Sequence, residues 1–449
     1  MLREKQLFLR DAVCDVPADR IGTEMARALT SNTLRALRHR NFQYFFAGQL
    51  ISLIGTWMQS VAQSWLVYRL TGSAALLGLV SFTGQIPIFL LSPIAGYAAD
   101  RLNRHRVVIA TQATSMVLAL VLAALTLTNR IRIWELFVLA CLLGVVNAFD
   151  IPARQSFLVE MVGREDLMNA IALNSSMFNG ARIIGPAIAG VLVGKIGEGW
   201  CFFANGISYV AVILGLLLMK VKPFQPKPAT MSALETIREG FQYVAGNVPI
   251  RAIVLLIAII SFAGCPYTVL MPIFADRVLH TGAEGLGFLM GATGVGALGG
   301  ALLLASRTRL TGFTIWIPTA AACFALSLGV FAASGRMWLS CAVLFVAGFA
   351  LMLQVGASNT LIQSMVPDRL RGRAMSVYSM MYIGVGPFGA VVAGFAAGGF
   401  GARATTLAGA VVCLIASAIF ALRLPSIRPV ARQLIRDQRA IHEFAAAER

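Results

Sequence analysis

The sequence holds few side chains that could do chemistry, and most of them stand inside long apolar runs. Arg182 lies about twelve residues into one such run, roughly 18 Å along a helix. A guanidinium that deep in hydrocarbon costs about 2.5–3.5 kcal/mol on insertion scales, so it must face protein or water. Ser175, Asn179 and Arg182 recur at i, i+4 and i+7, which puts all three on one helix face. An arginine so placed can bind an anion or gate a cavity, or it can pair structurally with backbone carbonyls. Gln49, Ser52, Thr56, Gln59 and Gln63 follow one another at spacings of 3, 4, 3 and 4, again a single face. Amides and hydroxyls are costly against lipid, so this face either lines an aqueous cavity or supplies hydrogen bonds between helices. Asn147, Gln354, Tyr378 and Tyr382 are further candidates for the same cavity, where the tyrosines could stack on a flat or amphipathic molecule.

Deep acidic residues are nearly absent. Glu135, Asp150 and Asp276 lie near the ends of apolar runs. Burial favours the protonated form of a carboxyl, which makes these three the candidates to take up and release a proton. Hydrolytic chemistry finds no support. The four histidines (His39, His105, His280, His442) form no HExxH, and GxSxG does not occur. The glycine-rich string Gly190–Ile196 lacks the spacing and the Ser/Thr of a phosphate loop. No metal and no bound cofactor is expected. Cys14, Cys141, Cys201, Cys265, Cys323, Cys341 and Cys413 are scattered without a CxxC and read as small packing residues.

The elements that must position these groups are membrane helices. The chain has 449 residues, 58% of them apolar and 13% charged, where a soluble chain carries about 25% charged residues. Apolar blocks of spanning length are expected at 42–68, 74–99, 107–127, 133–152, 170–195, 201–219, 251–275, 285–305, 313–333, 337–358, 374–399 and 404–422. With the N-terminus inside, the outer loops receive only Arg69, Arg130, Arg132, Lys195, Arg277, Arg336 and Arg403. The rest of the 37 basic residues, Arg182 excepted, fall inside. This bias predicts twelve spans with both termini cytoplasmic, and it accounts for the net charge of +17 without a nucleic-acid partner.

The expected organisation is a cytoplasmic extension over 1–40, a six-helix bundle over 41–219, a linker over 220–250, a second bundle over 251–422 and a cytoplasmic tail over 423–449. The extension mixes charges and lacks the apolar core of a secretory signal; an amphipathic helix is expected near Glu24–Arg38. In the linker Leu234, Ile237, Phe241 and Val244 recur at helical spacing, which predicts a short amphipathic strap on the inner surface. The halves echo each other: GPAIAG at Gly185–Gly190 returns as GPFGAVVAG at Gly386–Gly394. Pro186 and Pro387 should kink their helices. Glycines at 287, 291, 294, 296, 299 and 300 predict close helix packing.

The loop after the second span reads Gly96-Tyr-Ala-Ala-Asp100-Arg101-Leu-Asn-Arg104-His-Arg106. It resembles the signature loop of the major facilitator superfamily, with Asn103 in place of a glycine and His105 in place of a basic residue. The resemblance implies an all-α fold of two pseudo-symmetric six-helix bundles and alternating access. It implies a conformational latch made by Gly96, Asp100, Arg101, Arg104 and Arg106. Asp100 would meet the start of the eleventh span near Arg373–Met375, and Arg104 would meet Asp150. The bland alternative is that these charges only hold topology. The resemblance also implies that Gly185, Pro186, Gly190, Gly386 and Pro387 lie at the interface of the halves. Residues 38–422 further resemble the enterobactin-exporter-like, or transmembrane secretion effector, branch. That likeness implies a monomeric carrier in the bacterial inner membrane. It would export a siderophore or amphipathic metabolite, with a proton gradient as the energy source. Multidrug or macrolide-type efflux, and carriage of a metabolite or lipid other than by export, stay open.

Overall fold

The computed structural model describes residues 34–221, 233–307 and 312–447; the side chains of Ser92, Pro93, Gly96, Tyr97, Ala99, Asp100, 233–237 and 439–447 lie outside that description. The expected helix near Glu24–Arg38 therefore falls largely outside it; within it, Arg35–Arg38 form one 3₁₀ turn.

The first half contains α1 (Arg40–Thr71), α2 (Ala74–Arg101), α3 (Arg104–Leu127), α4 (Ile133–Val162), α5 (Leu167–Ile196) and α6 (Glu198–Leu217). The linker supplies α7 (Ala233–Gly246). The second half contains α8 (Val248–Val278), α9 (Gly282–Ala305), α10 (Phe313–Ala333), α11 (Met337–Met365), α12 (Asp368–Phe400) and α13 (Ala402–Leu422), and the tail forms α14 (Leu424–Ala447). Eleven of these helices are long and apolar enough to cross a membrane. The twelfth expected span, α1, is 32 residues long, about 48 Å, but its Gln/Ser/Thr face lowers its mean hydropathy.

Several helices outrun their apolar cores. α4 continues ten residues past the expected end at 152, to Val162, and α11 continues to Met365. The helix starts follow local chemistry: Ser73 caps α2 by accepting from Leu76 N, and Asn103 caps α3 by accepting from Arg106 N. Asn103 thus replaces the motif's glycine with a residue suited to a helix start. His105, the other departure, donates from Nε2 to Leu216 O (2.8 Å) and packs its ring against Phe157, joining α3 to α6 and α4.

Lipid tails are as apolar as leucine, so helices associate in a membrane through close packing. The glycines serve that end. A Cβ at Gly48 would lie 2.8 Å from Ala211 O, and one at Gly55 would run into Asn205 and Ser208, so α1 and α6 touch backbone to backbone. Leu90, Leu142, Leu214, Val392 and Leu422 remain exposed on the outside of the bundle, where lipid would cover them.

α8 and α12 depart from regular helix. Ile260–Gly264 and Met380–Gly384 are π-helical turns, and Ser261 Oγ donates to Tyr382 O at 2.5 Å, so the two irregular turns support each other. Pro387, just beyond, has no N–H to offer the preceding turn, which accounts for the irregularity in α12. The linker helix α7 packs on α12, with Gly240 against Arg373 O and an ion pair between Glu239 and Arg373. α14 lies across the same end of the bundle as the C-terminus of α13, with Ile427 and Ala431 buried.

Candidate functional site

Between the two halves lies a cavity of about 520 Å³. From α1 it takes Thr56, Trp57, Gln59, Ser60, Gln63 and Ser64, from α4 Asn147, and from α5 Arg182. α2 adds Ser81 and Gln85, α6 adds Asn205 and Tyr209, and the second half adds Thr268, Met271, Met290 and Thr293. Among the described residues Arg182 is the one charged side chain on this wall, and no carboxylate among them pairs with it. Its guanidinium instead stands over Trp57, 5.7 Å from the ring centroid. Pro186, one turn on, cannot donate to the carbonyl of Arg182.

Of the residues named from the sequence, Thr56, Gln59, Gln63, Asn147 and Arg182 line this one cavity. The other candidates are placed elsewhere. Gln49 (2% exposed) and Ser52 (1%) are buried in helix packing. Ser175 is exposed, and the amide of Asn179 turns back to Ser175 O at 2.9 Å. Gln354 is fully buried against Ser358 (3.3 Å), and Tyr378 donates to Val355 O (2.8 Å). Tyr382 is not among the residues lining this cavity, and its backbone carbonyl accepts from Ser261. These positions correct the expected cavity list: a polar face must avoid lipid, but a neighbouring helix satisfies that need as well as water does.

Sequence reasoning missed the contribution of α6. Asn205 Nδ2 donates to Gln59 Oε1 at 2.7 Å, and Tyr209 meets Thr56 Oγ1 at 3.4 Å. Asn205, Ser208 and Tyr209 recur at i, i+3 and i+4, a signal that was present in an otherwise apolar helix.

The cavity is sealed at the end where α1 stops and α2 begins. Tyr68 Oη donates to Asp276 Oδ2 at 2.6 Å, across the two halves. Arg277 donates to Tyr68 Oη and to Gly72 O, both at 3.2 Å. Below these bonds the halves close through glycine seams. A Cβ at Gly287 would lie 2.6 Å from Pro186 O, one at Gly190 3.0 Å from Gly287 Cα, and one at Gly394 2.6 Å from Ala74 O. Gly185 and Gly386 do not take part: Gly185 packs on Trp57 and Ile54 of its own half, and Gly386 faces Ser261 of its own half. Of the expected interface motif, Pro186 and Gly190 thus meet the other half directly, while Pro387 is buried next to the π turn. Removing the Tyr68 hydroxyl with Tyr68→Phe leaves Asp276 without its cross-half donor, worth about 1–3 kcal/mol. We expect a cysteine placed on the cavity wall to react faster with a membrane-impermeant thiol reagent from that side, by about fivefold or more.

The carboxylates also settle into defined roles. Asp150 is buried; it accepts from Thr111 (2.8 Å) and Gln112 (2.9 Å) and pairs with Arg154 at 3.2 Å. Arg104 reaches Glu160 instead, at 2.9 Å, which corrects the expected Arg104–Asp150 pair. The reason is the length of α4: its extra turns carry Glu160 beyond the apolar core to the level of Arg104. Glu135 accepts from Arg132 N (2.9 Å) and caps α4. Arg101 and Arg106 are exposed at the loop, while the side chains of Gly96 and Asp100 lie outside the described residues.

Residues 31–443 match the family model described as transmembrane secretion effector. The chain is a transmembrane secretion effector of the major facilitator superfamily. Among its relatives is the staphyloferrin A transporter of Staphylococcus aureus, 28% identical over 364 residues, 80% of this chain and 90% of the relative. The multidrug efflux pump Tap of Mycolicibacterium fortuitum is 27% identical over 83% of this chain and 93% of its own length. The enterobactin exporter EntS of Shigella boydii is 26% identical over 83% and 88%. Among solved structures, an inward-facing, unoccupied bacterial homologue of the human lysosomal transporter Spinster superposes with a TM-score of 0.69 at 16% identity, covering 87% of this chain and 98% of that one. The nucleoside transporter NupG gives 0.66 at 13% identity, covering 87% and 98%. At these identities the structural likeness establishes the fold. This secretion effector is therefore a multi-pass membrane transporter of small molecules, and its family and relatives are carriers rather than enzymes.

Proposed function

We propose that this transporter exports a small amphipathic molecule bearing an anionic group, a siderophore or a related metabolite, by proton-driven alternating access across the bacterial inner membrane. The observation that carries the reading is Arg182: a cation on a polar cavity wall, with no carboxylate partner among the described residues. A charge held in hydrocarbon without a partner is costly. An anionic group on the cargo offsets that cost, while Gln59, Gln63, Asn147 and Asn205 offer hydrogen bonds to oxygens around it. Trp57 and the methionines Met271 and Met290 suit an apolar or aromatic portion.

The relatives named for siderophores favour export of such a cargo, and the sealed end of the bundle supports an inward-facing state. On this reading Tyr68, Asp276 and Arg277 lie at the outer face, both termini are cytoplasmic, and the protein acts as a monomer with no bound cofactor. The two bundles, 41–219 and 251–422, rock about the cavity, with the 220–250 linker strapping them and residues 1–40 and 423–449 at the cytoplasmic face. The proton carrier belongs among Asp150, Asp276 and Glu135. Asp150 has the strongest setting: it is the buried one of the three. The family loop acts as the inner latch, with Asp100, Arg101, Arg104 and Arg106 at its centre. Asp100→Asn should then impair transport while insertion and expression stay normal; transport at the wild-type rate would leave the loop a merely topological role.

A test of the cargo class is direct. Purified protein is titrated with matched pairs, an acid and its methyl ester. The acid should bind at least about tenfold more tightly, the equivalent of ~1.4 kcal/mol. Equal affinities would remove the anionic-group reading. Substrate-dependent counterflow in proteoliposomes separates a carrier from a channel. A second reading, multidrug efflux, rests on the relative named for it, and it predicts the equal affinities.

A further inference from the structure

The tail helix α14 is not used by the transport reading, and its chemistry is specific. One face is buried: Ile427 and Ala431 are 2% and 1% exposed, with Leu424, Leu434 and Ile435 packed beside them. Beside that face runs a line of arginines, Arg428, Arg432 and Arg436, at i, i+4 and i+8, so they stack along one edge of the helix. Arg428 Nε donates to Thr314 Oγ1 at the start of α10 (3.3 Å), and two residues on, Trp316 carries Arg307 over its ring at 5.0 Å. The edge of α14 thus continues into an Arg–Trp pair on the bundle itself. None of these four arginines pairs with a carboxylate among the described residues.

The position of this edge follows from the chain. α13 crosses the membrane and stops at Leu422, which is 80% exposed, and α14 begins two residues later. The helix therefore leaves the hydrocarbon at the level of the phospholipid headgroups. Tryptophan favours the same level, and amphipathic helices with a basic edge lie in it. We propose that α14 is an in-plane helix whose Arg428–Arg432–Arg436 edge, together with Arg307 and Trp316, binds anionic phospholipid headgroups. The bound headgroups hold the tail against α8, α10 and α11, on which it packs. The occupant is the anionic lipid of the surrounding leaflet, because positive charge at headgroup depth, unpaired within the described residues, meets phosphate there.

The experiment reconstitutes the full-length protein into vesicles of phosphatidylcholine alone or of phosphatidylcholine with phosphatidylglycerol. Amide hydrogen exchange is then followed over residues 424–438. Each arginine at a charged surface changes the association roughly fivefold, so three give on the order of a hundredfold. Exchange in α14 should slow by up to that factor when phosphatidylglycerol is present, and the effect should fade in about 0.5 M salt, where screening is short-ranged. The variant Arg428→Gln/Arg432→Gln/Arg436→Gln should lose the lipid dependence while exchange in α1–α6 stays unchanged. If that variant fails to fold, the single variant Arg432→Gln decides, with a loss of about fivefold. Equal protection in both lipids, or an undiminished response in the variants, would overturn the proposal. So would protection produced by a soluble polyanion in neutral vesicles but not by phosphatidylglycerol. None of these outcomes depends on the cargo or on transport.

Discussion

Export by Arg182→Ala should fall by about thirtyfold to several thousandfold in kcat/KM, while expression and insertion stay at wild-type levels. The magnitude follows from removing one member of a desolvated charge pair, which costs about 2–5 kcal/mol. The variant should insert normally, because the substitution removes a charge that hydrocarbon disfavours and no carboxylate among the described residues is left unpaired by it. Two further variants sharpen the result. Arg182→Lys keeps the charge but loses the planar fork and the stacking on Trp57, so it should retain part of the activity. Asn205→Ala removes the donor to Gln59 Oε1 without touching the charge; it should weaken binding of the acid and the ester alike. Initial rates of uptake into inside-out vesicles, normalised to protein content, read all three. Wild-type rates in Arg182→Ala would return the arginine to a structural role.

The second large effect concerns the seam at the sealed end. At Gly287 a methyl group would meet Pro186 O at 2.6 Å, and at Gly394 it would meet Ala74 O at 2.6 Å. Both obstacles are backbone, which cannot swing aside. Gly287→Ala and Gly394→Ala should therefore destabilise the sealed arrangement by about 1–3 kcal/mol and shift the two-state population by roughly 5- to 150-fold toward the state open at that end. Gly399→Ala is the control, since a Cβ there meets nothing within 4 Å. Spin labels on Asn129 and Arg336, exposed in the loops after α3 and before α11, report the separation of the halves by pulsed dipolar spectroscopy. A longer-distance population should grow in the two seam variants and stay at the wild-type level in the control. An unchanged distribution in Gly287→Ala would mean that the halves part elsewhere.

The helices themselves were legible from hydropathy because a membrane imposes one length on every span. Expected and observed boundaries agree closely in α10, for example, at Phe313–Ala333. The errors arose where the helix does not end with the hydrocarbon. The apolar core of α4 stops near 152, but nothing in PARQSFLVEMV obliges the backbone to leave the helix beyond Pro152, so Glu160 rather than Asp150 comes level with Arg104. The cavity was legible in part for a similar reason. The stripe on α1 is continuous from Gln49 to Gln63, yet its first two members are buried in helix packing and the rest face open volume. Periodicity reports that a face shuns lipid; only the packing of other helices, such as α6 at Gly48 and Gly55, decides whether water or protein covers it. Arg182 was the clearest signal, since a lone charge deep in an apolar run is too costly to leave facing lipid. The sealed end was not legible at all. Tyr68 and Arg277 are ordinary span-end residues in the sequence and Asp276 stands out there only as a proton candidate; Tyr68 and Asp276 meet across 208 positions of chain only because the two bundles dock.

On the proposed cycle, cargo moves outward at the expense of a proton gradient, with Arg182 holding its anionic group. Inside-out proteoliposomes containing the purified protein test this most directly, with an imposed acidic lumen and a panel of siderophores and macrolide-type drugs offered outside. Accumulation of an anionic siderophore-type compound that requires the pH gradient, collapses with a protonophore and is lost in Arg182→Ala is the predicted result. Accumulation of neutral or cationic drugs that is unaffected by Arg182→Ala, or movement of the siderophore that is indifferent to the gradient, would contradict it.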